Sequence, residues 1–300
     1  MPPLLRCAIS SDASRGIATI TSEDSNSGPA ELIRQTKRIA LDRFELADFA
    51  DSFWPKEQQE AGFQPEPGCS EPTFIGSAAD IAFFASSFFN FASRALRVSK
   101  KDKCAKAIFV RAADSYRSMS SCEVSLTDYE LVNEVNHGYH VRLSPAAKKA
   151  VESEIKSNAR TGSDKDETGG LLLGEIDDSL QSITIDVATG SPPDSKKSPQ
   201  LFNCGIGGTE RLCEHHAERS GNSTKFVGVW HTHPVSMPEP SAVDISAMAQ
   251  ILHYQQKAPR HVVMLIVGHA ANKPEWRFHL FRRNEFTLKP IESEVIANDQ

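Results

Sequence analysis

Two histidines two residues apart, His231 and His233, stand at the end of the apolar segment VWHTHP (residues 229–234). The apolar residues predict a buried strand, and the proline predicts that the chain turns outward there. After a gap of six residues come Ser241 and, at the start of a helical pattern, Asp244. Two imidazoles and a carboxylate form a three-ligand zinc set that leaves one coordination position for water. A structural site would usually close that position with cysteine or histidine, so the pattern predicts a hydrolytic zinc site.

A hydrolytic zinc needs a nearby group that takes a proton from its water and passes it to the leaving nitrogen. Glu167 is the strongest candidate, because it precedes a glycine pair and the apolar run LLL at residues 171–173. A carboxylate at the edge of a core is partly buried, and burial raises its pKa toward neutrality. By position alone, a solvated residue at the start of a strand would be the better interpretation of Glu167. Three carboxylates compete for the role of base, namely Asp164, Asp166 and Glu175.

The chain of 300 residues has the composition of a soluble globular protein of one large or two smaller domains. Its net charge of −6 gives no general case for nucleic-acid binding. Six cysteines are scattered without CxxC spacing, which suits a reducing compartment better than a disulfide framework. The apolar part of the N-terminus is too short for a signal peptide. We therefore expect a cytoplasmic protein.

The longest apolar stretch, IAFFASSFFNFA at residues 81–92, predicts a helix over about residues 77–97. It is too short to cross a bilayer, so a helix packed against a core is favoured over a membrane segment. Residues 112–136 lack a strong period and form the candidate linker or boundary region. The remaining N-terminal elements expected are a strand at residues 16–20, a helix over 30–53, a loop over 54–73 and a strand at 107–111.

From residue 138 the pattern changes to alternating helices and strands, which predicts an α/β fold with a mixed sheet flanked by helices. Ser144 and Pro145 have the types expected for the N-cap and first position of a helix that runs to about residue 158. The other expected elements are strands at residues 140–143, 171–173, 182–188, 225–230, 261–267 and 276–281, with helices over 209–219 and 241–255.

The joined pattern resembles the JAMM (MPN-plus) metalloprotease signature. It consists of ETGGLLLG at residues 167–174, HTHP at residues 231–234, then Ser241 and Asp244, all in the expected order. The resemblance covers about residues 138–290, which we take as the metallopeptidase domain. It implies the JAMM/MPN fold, a cytidine-deaminase-like mixed sheet flanked by helices, with the site at the sheet edge.

The resemblance also implies a role for each residue of the pattern. His231, His233 and Asp244 would bind one zinc ion per chain. Glu167 would act as general base and then as acid toward the amide nitrogen, and Ser241 would donate a hydrogen bond to the developing oxyanion. Ser241 could otherwise be an ordinary helix N-cap. Relatives that lack the metal ligands are scaffolds, but here every ligand position is filled.

Such enzymes cleave isopeptide or peptide bonds at the C-terminus of ubiquitin or ubiquitin-like proteins, whose extended tail often adds as a strand beside the site. The resemblance thus implies an isopeptidase in a bacterial ubiquitin-like conjugation pathway, a setting that includes antiviral defence. The alternatives are C-terminal processing of a sulfur-carrier-type ubiquitin-like protein and a non-catalytic interaction module. Trp230 and the loop 189–203 could line the substrate groove, although core packing is favoured for Trp230.

The N-terminal part, residues 1–130, is expected to be a mostly helical α+β domain. Residues 67–80 distantly resemble the tail of ThiF-type adenylating proteins, although this half has no glycine-rich nucleotide loop. The resemblance implies a remnant that serves as a docking surface for an adenylating or conjugating enzyme. Within it, Cys69 is more readily an ordinary loop cysteine than a thioester cysteine. A weaker second zinc site could use Cys204, Cys213, His215 and His216.

Overall fold

The structure is a computed structural model that describes residues 3–23, 25–55, 77–99, 104–113, 118–134, 137–160, 165–234, 237–254, 259–270 and 273–283. Two features of the sequence lie outside these residues. They are most of the stretch that resembles the ThiF tail, with Cys69, and Asp164, one of the competing carboxylates.

The N-terminal part is built on an antiparallel sheet with the strand order β1-β2-β3-β4. The strands are β1 (Leu5–Ile9), β2 (Arg15–Ile20), β3 (Lys106–Ala112) and β4 (Met119–Ser125). The helices are α1 (Pro29–Asp42), α2 (Ala47–Phe53) and α3 (Ala78–Ser99). The sequence indicates β2 and β3 but not β1 or β4, so half of this sheet is unexpected.

The helix expected over residues 30–53 is interrupted at Arg43. The backbone of Arg43 is extended, with φ of −104° and ψ of 119°, and a 3-10 turn at Phe44–Leu46 leads into α2. By contrast, α3 is continuous. It buries Phe84, Phe88 and Ala92, which are spaced four residues apart and pack on the sheet as one apolar stripe. Within the described part of the chain, no helix is both long and apolar enough to cross a membrane.

The C-terminal half contains a seven-stranded mixed sheet. Its strands are β5 (Glu130–Asn133), β6 (His140–Leu143), β7 (Gly169–Asp177), β8 (Ser182–Ala188), β11 (Lys225–Thr232), β12 (His261–Ala270) and β13 (Lys273–Arg282). They lie in the order β13-β12-β11-β7-β8-β6-β5, with β11 parallel to β12 and β6 parallel to β8. The expected linker or boundary region at residues 112–136 contains both β4 and β5, so it is not an unstructured linker. The change from the N-terminal sheet to the seven-stranded sheet lies within it, between these two strands.

Three helices and a small ribbon surround this sheet. The helices are α4 (Pro145–Arg160), α5 (Thr209–Arg219) and α6 (Ala242–Tyr254), and β9 (Lys196–Ser198) pairs with β10 (Leu201–Asn203) to form the ribbon. Ser144 is the N-cap of α4, since its Oγ lies 3.0 Å from the Ala147 amide. Helix α6 buries Met248 and Leu252 against β12, so that its first turn lies at the sheet edge where β11 ends.

Helix α1 joins the two halves of the molecule. Its residue Arg34 forms ion pairs with Glu175 of β7 and Asp186 of β8, and Glu31 pairs with Arg142 of β6. The Nζ of Lys37 donates to the carbonyl oxygen of Gly221, beyond α5. The N-terminal part is thus packed directly against the seven-stranded sheet.

Candidate metal centre

The strand pairing explains how residues far apart in the sequence meet. Strand β11 continues two residues beyond the expected end and is antiparallel to β7, with His231 opposite Gly169. Moving two residues outward on each strand brings Glu167 opposite His233. Side chains alternate along a strand, so both histidines and Glu167 lie on the same face. The register extends past the sheet, because the Thr232 amide donates to the carbonyl of Thr168 over 2.8 Å.

A glycine is needed at position 169 because neighbouring segments of the protein approach its backbone closely. A Cβ atom there would lie 2.2 Å from the carbonyl oxygen of Trp230 and 2.6 Å from the ring of Phe202. A side chain at this position would also crowd the space opposite His231. Gly170 is confined in the same way, since its Cβ would lie 2.3 Å from the carbonyl oxygen of Thr189.

The substitution Gly169→Ala is therefore expected to lower the free energy of unfolding by about 1–3 kcal/mol, the usual cost of overpacking. It should also reduce metal affinity by displacing Glu167 and His231. Chemical denaturation and a metal-competition titration would measure the two effects. Gly28→Ala is the control, because a Cβ there meets only the carboxylate end of Glu31. Equal losses in both variants would contradict the close-approach explanation.

The nitrogen and oxygen atoms of three side chains converge on one point. The Nε2 atoms of His231 and His233 lie 3.0 Å apart, and Asp244 oxygens lie 3.4 Å from His231 Nε2 and 3.7 Å from His233 Nε2. Ligands at about 2.0–2.1 Å from a tetrahedral zinc ion lie roughly 3.3 Å from one another. The observed separations match that value, so these residues fit a zinc ion. Glu167 lies just outside, with Oε1 4.0 Å from His233 Nε2.

His233 is oriented by the segment that follows it. Its Nδ1 lies 2.9 Å from the carbonyl oxygen of Met237, and because a carbonyl only accepts, Nδ1 carries the proton. In the neutral ring this leaves Nε2 unprotonated and able to bind a metal. The segment is itself held by His279 of β13, whose Nε2 lies 3.1 Å from the carbonyl oxygen of Pro238. Neither contact is visible in the sequence, where His279 is one of several scattered histidines.

Asp244 and Ser241 form the N-terminal cap of α6. The Ser241 hydroxyl lies 2.7 Å from Asp244 Oδ2 and 3.2 Å from the Asp244 amide, and the Ser241 amide donates to the same carboxylate oxygen over 2.8 Å. This reciprocal pair is a capping box with aspartate in the place of glutamate. Ser241 is exposed. The ordinary N-cap role is therefore present, and it also fixes the carboxylate that faces the two histidines.

The protonation of the site follows from burial and from the neighbouring charges. Burial raises the pKa of Glu167, and this effect outweighs the opposing influence of His231 and His233. Burial also favours a higher pKa for Asp244, but the neighbouring histidine rings and the Ser241 hydroxyl hold it far below its usual range. Two carboxylates in one site thus differ in character. Asp244 remains ionised, and Glu167 can take up and release a proton nearer neutrality.

The other residues proposed from the sequence are not part of this centre. Glu175 lies further along β7 and forms an ion pair with Arg34. Among the described residues, one group of three side chains is close enough together to hold a metal ion, Glu167 with His231 and His233, and Asp244 adjoins it through its contacts with both histidines. The weaker second zinc site considered for Cys204, Cys213, His215 and His216 is not formed in the part of the chain that the structure describes. Trp230 is fully buried in the core, and its Nε1 donates to the carbonyl of Thr189 over 2.9 Å.

A groove of about 1120 Å³ leads to the metal centre between β10 and α6. Its lining includes His231 and Asp244 of that centre, and other polar side chains such as Glu210, Lys225 and Gln250. The lining is nevertheless largely apolar and includes Leu201, Phe202, Val229, Val243, Ile251 and Met264. A large, mainly apolar groove that reaches the metal centre has the character of a binding site for an extended apolar segment.

Comparison with known proteins agrees with this geometry. Residues 148–281 match the family described as prokaryotic homologues of the JAB domain. A protein of Enterobacter hormaechei named CD-NTase/cGAS isopeptidase is 35% identical over 102 residues, which is 34% of this chain and 55% of that protein. A Pseudomonas aeruginosa protein of the same name is 33% identical over 110 residues, 36% of this chain and 68% of that protein. A probable metalloprotease of Sinorhizobium fredii is 27% identical over 108 residues, 35% of this chain and 65% of that protein.

The chain therefore belongs to the JAB (JAMM) family of metalloproteases, which are hydrolases. Membership implies a metal, and the Glu167, His231 and His233 group lies within the matched region. The match to the Enterobacter relative spans about half of that relative's length. The N-terminal part of this chain lies outside the matched family region.

Proposed function

We propose that this protein is a zinc-dependent isopeptidase that cleaves after the C-terminus of a ubiquitin-like protein. His231, His233 and Asp244 would hold the zinc ion. The observation that carries the proposal is the mutual spacing of their ligand atoms, 3.0 to 3.7 Å, with the buried Glu167 beside them. Zinc, when bound, polarises the scissile carbonyl and activates a water molecule.

The side chains of this chain would divide the remaining work. The Glu167 carboxylate accepts a proton from the attacking water and then donates it to the leaving amide nitrogen. Its raised pKa suits both steps, because a group that titrates nearer neutrality can accept and release a proton. Ser241, exposed at the start of α6, donates a hydrogen bond to the carbonyl oxygen as negative charge develops there. Asp244 holds the Ser241 hydroxyl in place before substrate binds.

The groove supports the assignment of an extended peptide as substrate. Strand β10 pairs with β9 on one side, and within the described residues its other side has no strand partner. An extended C-terminal tail can add to that edge by main-chain hydrogen bonds, with apolar side chains placed against Leu201 and Val243. The tail would then deliver its last peptide or isopeptide bond to the metal centre.

The names of the relatives support the choice of reaction. Two of them are named CD-NTase/cGAS isopeptidase, and we extend isopeptidase activity from them to this chain. The protein that carries the ubiquitin-like modifier would then be a CD-NTase, and the reaction would belong to a bacterial conjugation pathway of antiviral defence. The N-terminal part would then present a surface to an adenylating or conjugating enzyme.

Metal content and cleavage test the proposal together. The purified protein should contain about one zinc ion per chain and should cleave both a linear ubiquitin-like fusion and an isopeptide conjugate. Cleavage of the linear fusion alone would favour precursor processing. A zinc-loaded protein that cleaves neither substrate would contradict the proposal and favour a non-catalytic module.

Removal of the metal is expected to abolish cleavage reversibly. Dialysis against a chelator should lower kcat by more than about 100-fold, because polarisation of the carbonyl and activation of water are both lost. Adding zinc should restore activity in the wild type but not in His231→Ala, which lacks one ligand. Activity that survives complete zinc removal, measured by elemental analysis, would exclude the metal-dependent reaction.

A further inference from the structure

The short segment that carries Glu167 is tethered at every residue from 166 to 169. The carbonyl of Asp166 accepts from the Asn158 amide group over 3.0 Å, and the Glu167 amide donates to the carbonyl of Ser198 over 2.8 Å. The Thr168 amide donates to Thr232 Oγ1 over 2.9 Å. The carbonyl oxygen of Gly169 lies 3.0 Å from the Ser191 hydroxyl, whose single proton it shares with Glu154. These tethers come from α4, β9, β11 and the loop after β8.

One carboxylate oxygen lies at the centre of this arrangement. Glu154 Oε1, on α4, accepts from Thr168 Oγ1 at 2.9 Å, from Ser191 Oγ at 3.0 Å and from Lys197 Nζ at 3.2 Å. Lys197, on β9, also reaches Thr168 Oγ1 at 2.8 Å and Asn158 Oδ1 at 3.2 Å. Helix α4 and the β9–β10 ribbon therefore both contact Thr168, which is the residue next to Glu167.

Glu154 and Lys197 form an ion pair that is covered by the surrounding protein and joined by further hydrogen bonds. Both side chains are largely covered, with 21% of Glu154 and 28% of Lys197 exposed. Burial favours a higher pKa for Glu154, but hydrogen bonds from Thr168, Lys197 and Ser191 lower it overall. Glu154 therefore remains ionised and accepts all three hydrogen bonds at neutral pH. An exposed surface ion pair would have neither the coverage nor the additional partners.

We propose that Glu154 and Lys197 are positioning residues that align Glu167 with the metal centre and with the groove ribbon. This inference rests on the proposed function, since it assigns the alignment of its general base. Lys197 belongs to the ribbon whose other strand, β10, lines the groove. A shift of that ribbon is therefore transmitted through Lys197 and Thr168 to the base.

Steady-state kinetics distinguish positioning from simple stabilisation. Lys197→Met should lower kcat for a ubiquitin-like fusion by about 10-fold to 100-fold, the cost of misplacing a reacting group by up to 1 Å. KM and zinc content should stay close to the wild-type values, because neither residue touches the metal ligands. Glu154→Ala should behave alike, while Glu154→Gln, which keeps an acceptor for Thr168 and Ser191, should recover most of kcat. The control is Lys148→Met, which removes an exposed ion pair with Glu130 from the same helix.

Hydrogen exchange gives a readout that does not depend on activity. In Lys197→Met, exchange of the Glu167 and Thr168 amides should accelerate at least about 10-fold, while the centre of β7 stays protected. Unchanged exchange at these two amides, or a kcat equal to that of Lys148→Met, would overturn the inference. If the wild type cleaves no substrate, the proposed function fails, and the exchange rates still decide whether Lys197 orders the Glu167 segment.

Discussion

Replacing Glu167 with glutamine is expected to abolish hydrolysis while the metal stays bound. The two side chains have the same shape, so the packing around this buried position is kept. Glutamine cannot accept a proton from water or pass one to the leaving nitrogen, and loss of such a group typically costs about 10²–10⁴ in rate. Zinc should be retained, because the convergent ligand atoms come from His231, His233 and Asp244. Elemental analysis and kcat, measured on the same preparation, would check both statements.

Two other acidic residues provide the control for this prediction. Asp166 and Glu175 compete with Glu167 in the sequence, but neither joins the group of side chains that can hold the metal. Asp166→Asn and Glu175→Gln should therefore retain kcat within about threefold, as expected for changes outside the reacting groups. If Glu167→Gln retained zinc and full activity, or if Asp166→Asn were as inactive as Glu167→Gln, the assignment of the base would be wrong.

The parts of the site that can be predicted from the sequence are local ones. The His-x-His pair follows from strand alternation, and the spacing of Ser241 and Asp244 follows from the geometry of a helix cap. Glu167 is different, because it reaches the site only through the pairing of β7 with β11. No local pattern specifies that pairing. The resemblance to a known signature supplied it, and the register explains it.

Two of the strands that escaped prediction, β4 and β9, share a physical character. Strand β4 reads MSSCEVS and β9 reads KKS, and both are short or polar. Strands of this kind are formed by a neighbour's hydrogen bonds more than by their own apolar pattern. Strand β4 exists because β3 supplies seven consecutive paired residues. The same reason explains why residues 112–136 look like a linker in the sequence.

The relation between the two halves of the chain was also beyond prediction. The sequence predicts an N-terminal domain of uncertain role over residues 1–130, because this half contains no recognisable chemical site. Charged residues on a helix are normally solvated, so they do not predict a contact with the other half. In the structure, Arg34 and Arg38 of α1 turn toward the sheet and reach one buried carboxylate, Asp186. Asp186 lies on the face of β8 that it shares with Ser182 and Thr184, opposite the core residues Ile183 and Ile185, and the alternation predicts that this polar face meets solvent. Docking of α1 brings Arg34 and Arg38 against Asp186, so that each of these covered charges has a partner of opposite sign.

Replacing Asp186 with alanine is therefore expected to destabilise the whole molecule. Its Oδ1 lies 2.5 Å from Arg38 and 2.7 Å from the Tyr129 hydroxyl, and its Oδ2 lies 2.5 Å from Arg34 and 3.1 Å from Thr224. Removing the carboxylate leaves two guanidinium groups without their buried partner, which typically costs 3–5 kcal/mol. We expect about 3 kcal/mol, because Arg38 remains partly solvated. Chemical denaturation, followed separately by signals from each half, would measure this loss.

The matched control is an ion pair that also joins α1 to the C-terminal half but lies at the surface. Asp42 and Arg219 are each more than half exposed, so Asp42→Asn should cost less than about 1 kcal/mol. If the Asp186 pair locks the halves together, the wild type unfolds in one transition and Asp186→Ala separates it into two. A loss in Asp186→Ala no greater than in Asp42→Asn would mean that α1 only rests on the sheet. The N-terminal part would then be free to move relative to the metal centre.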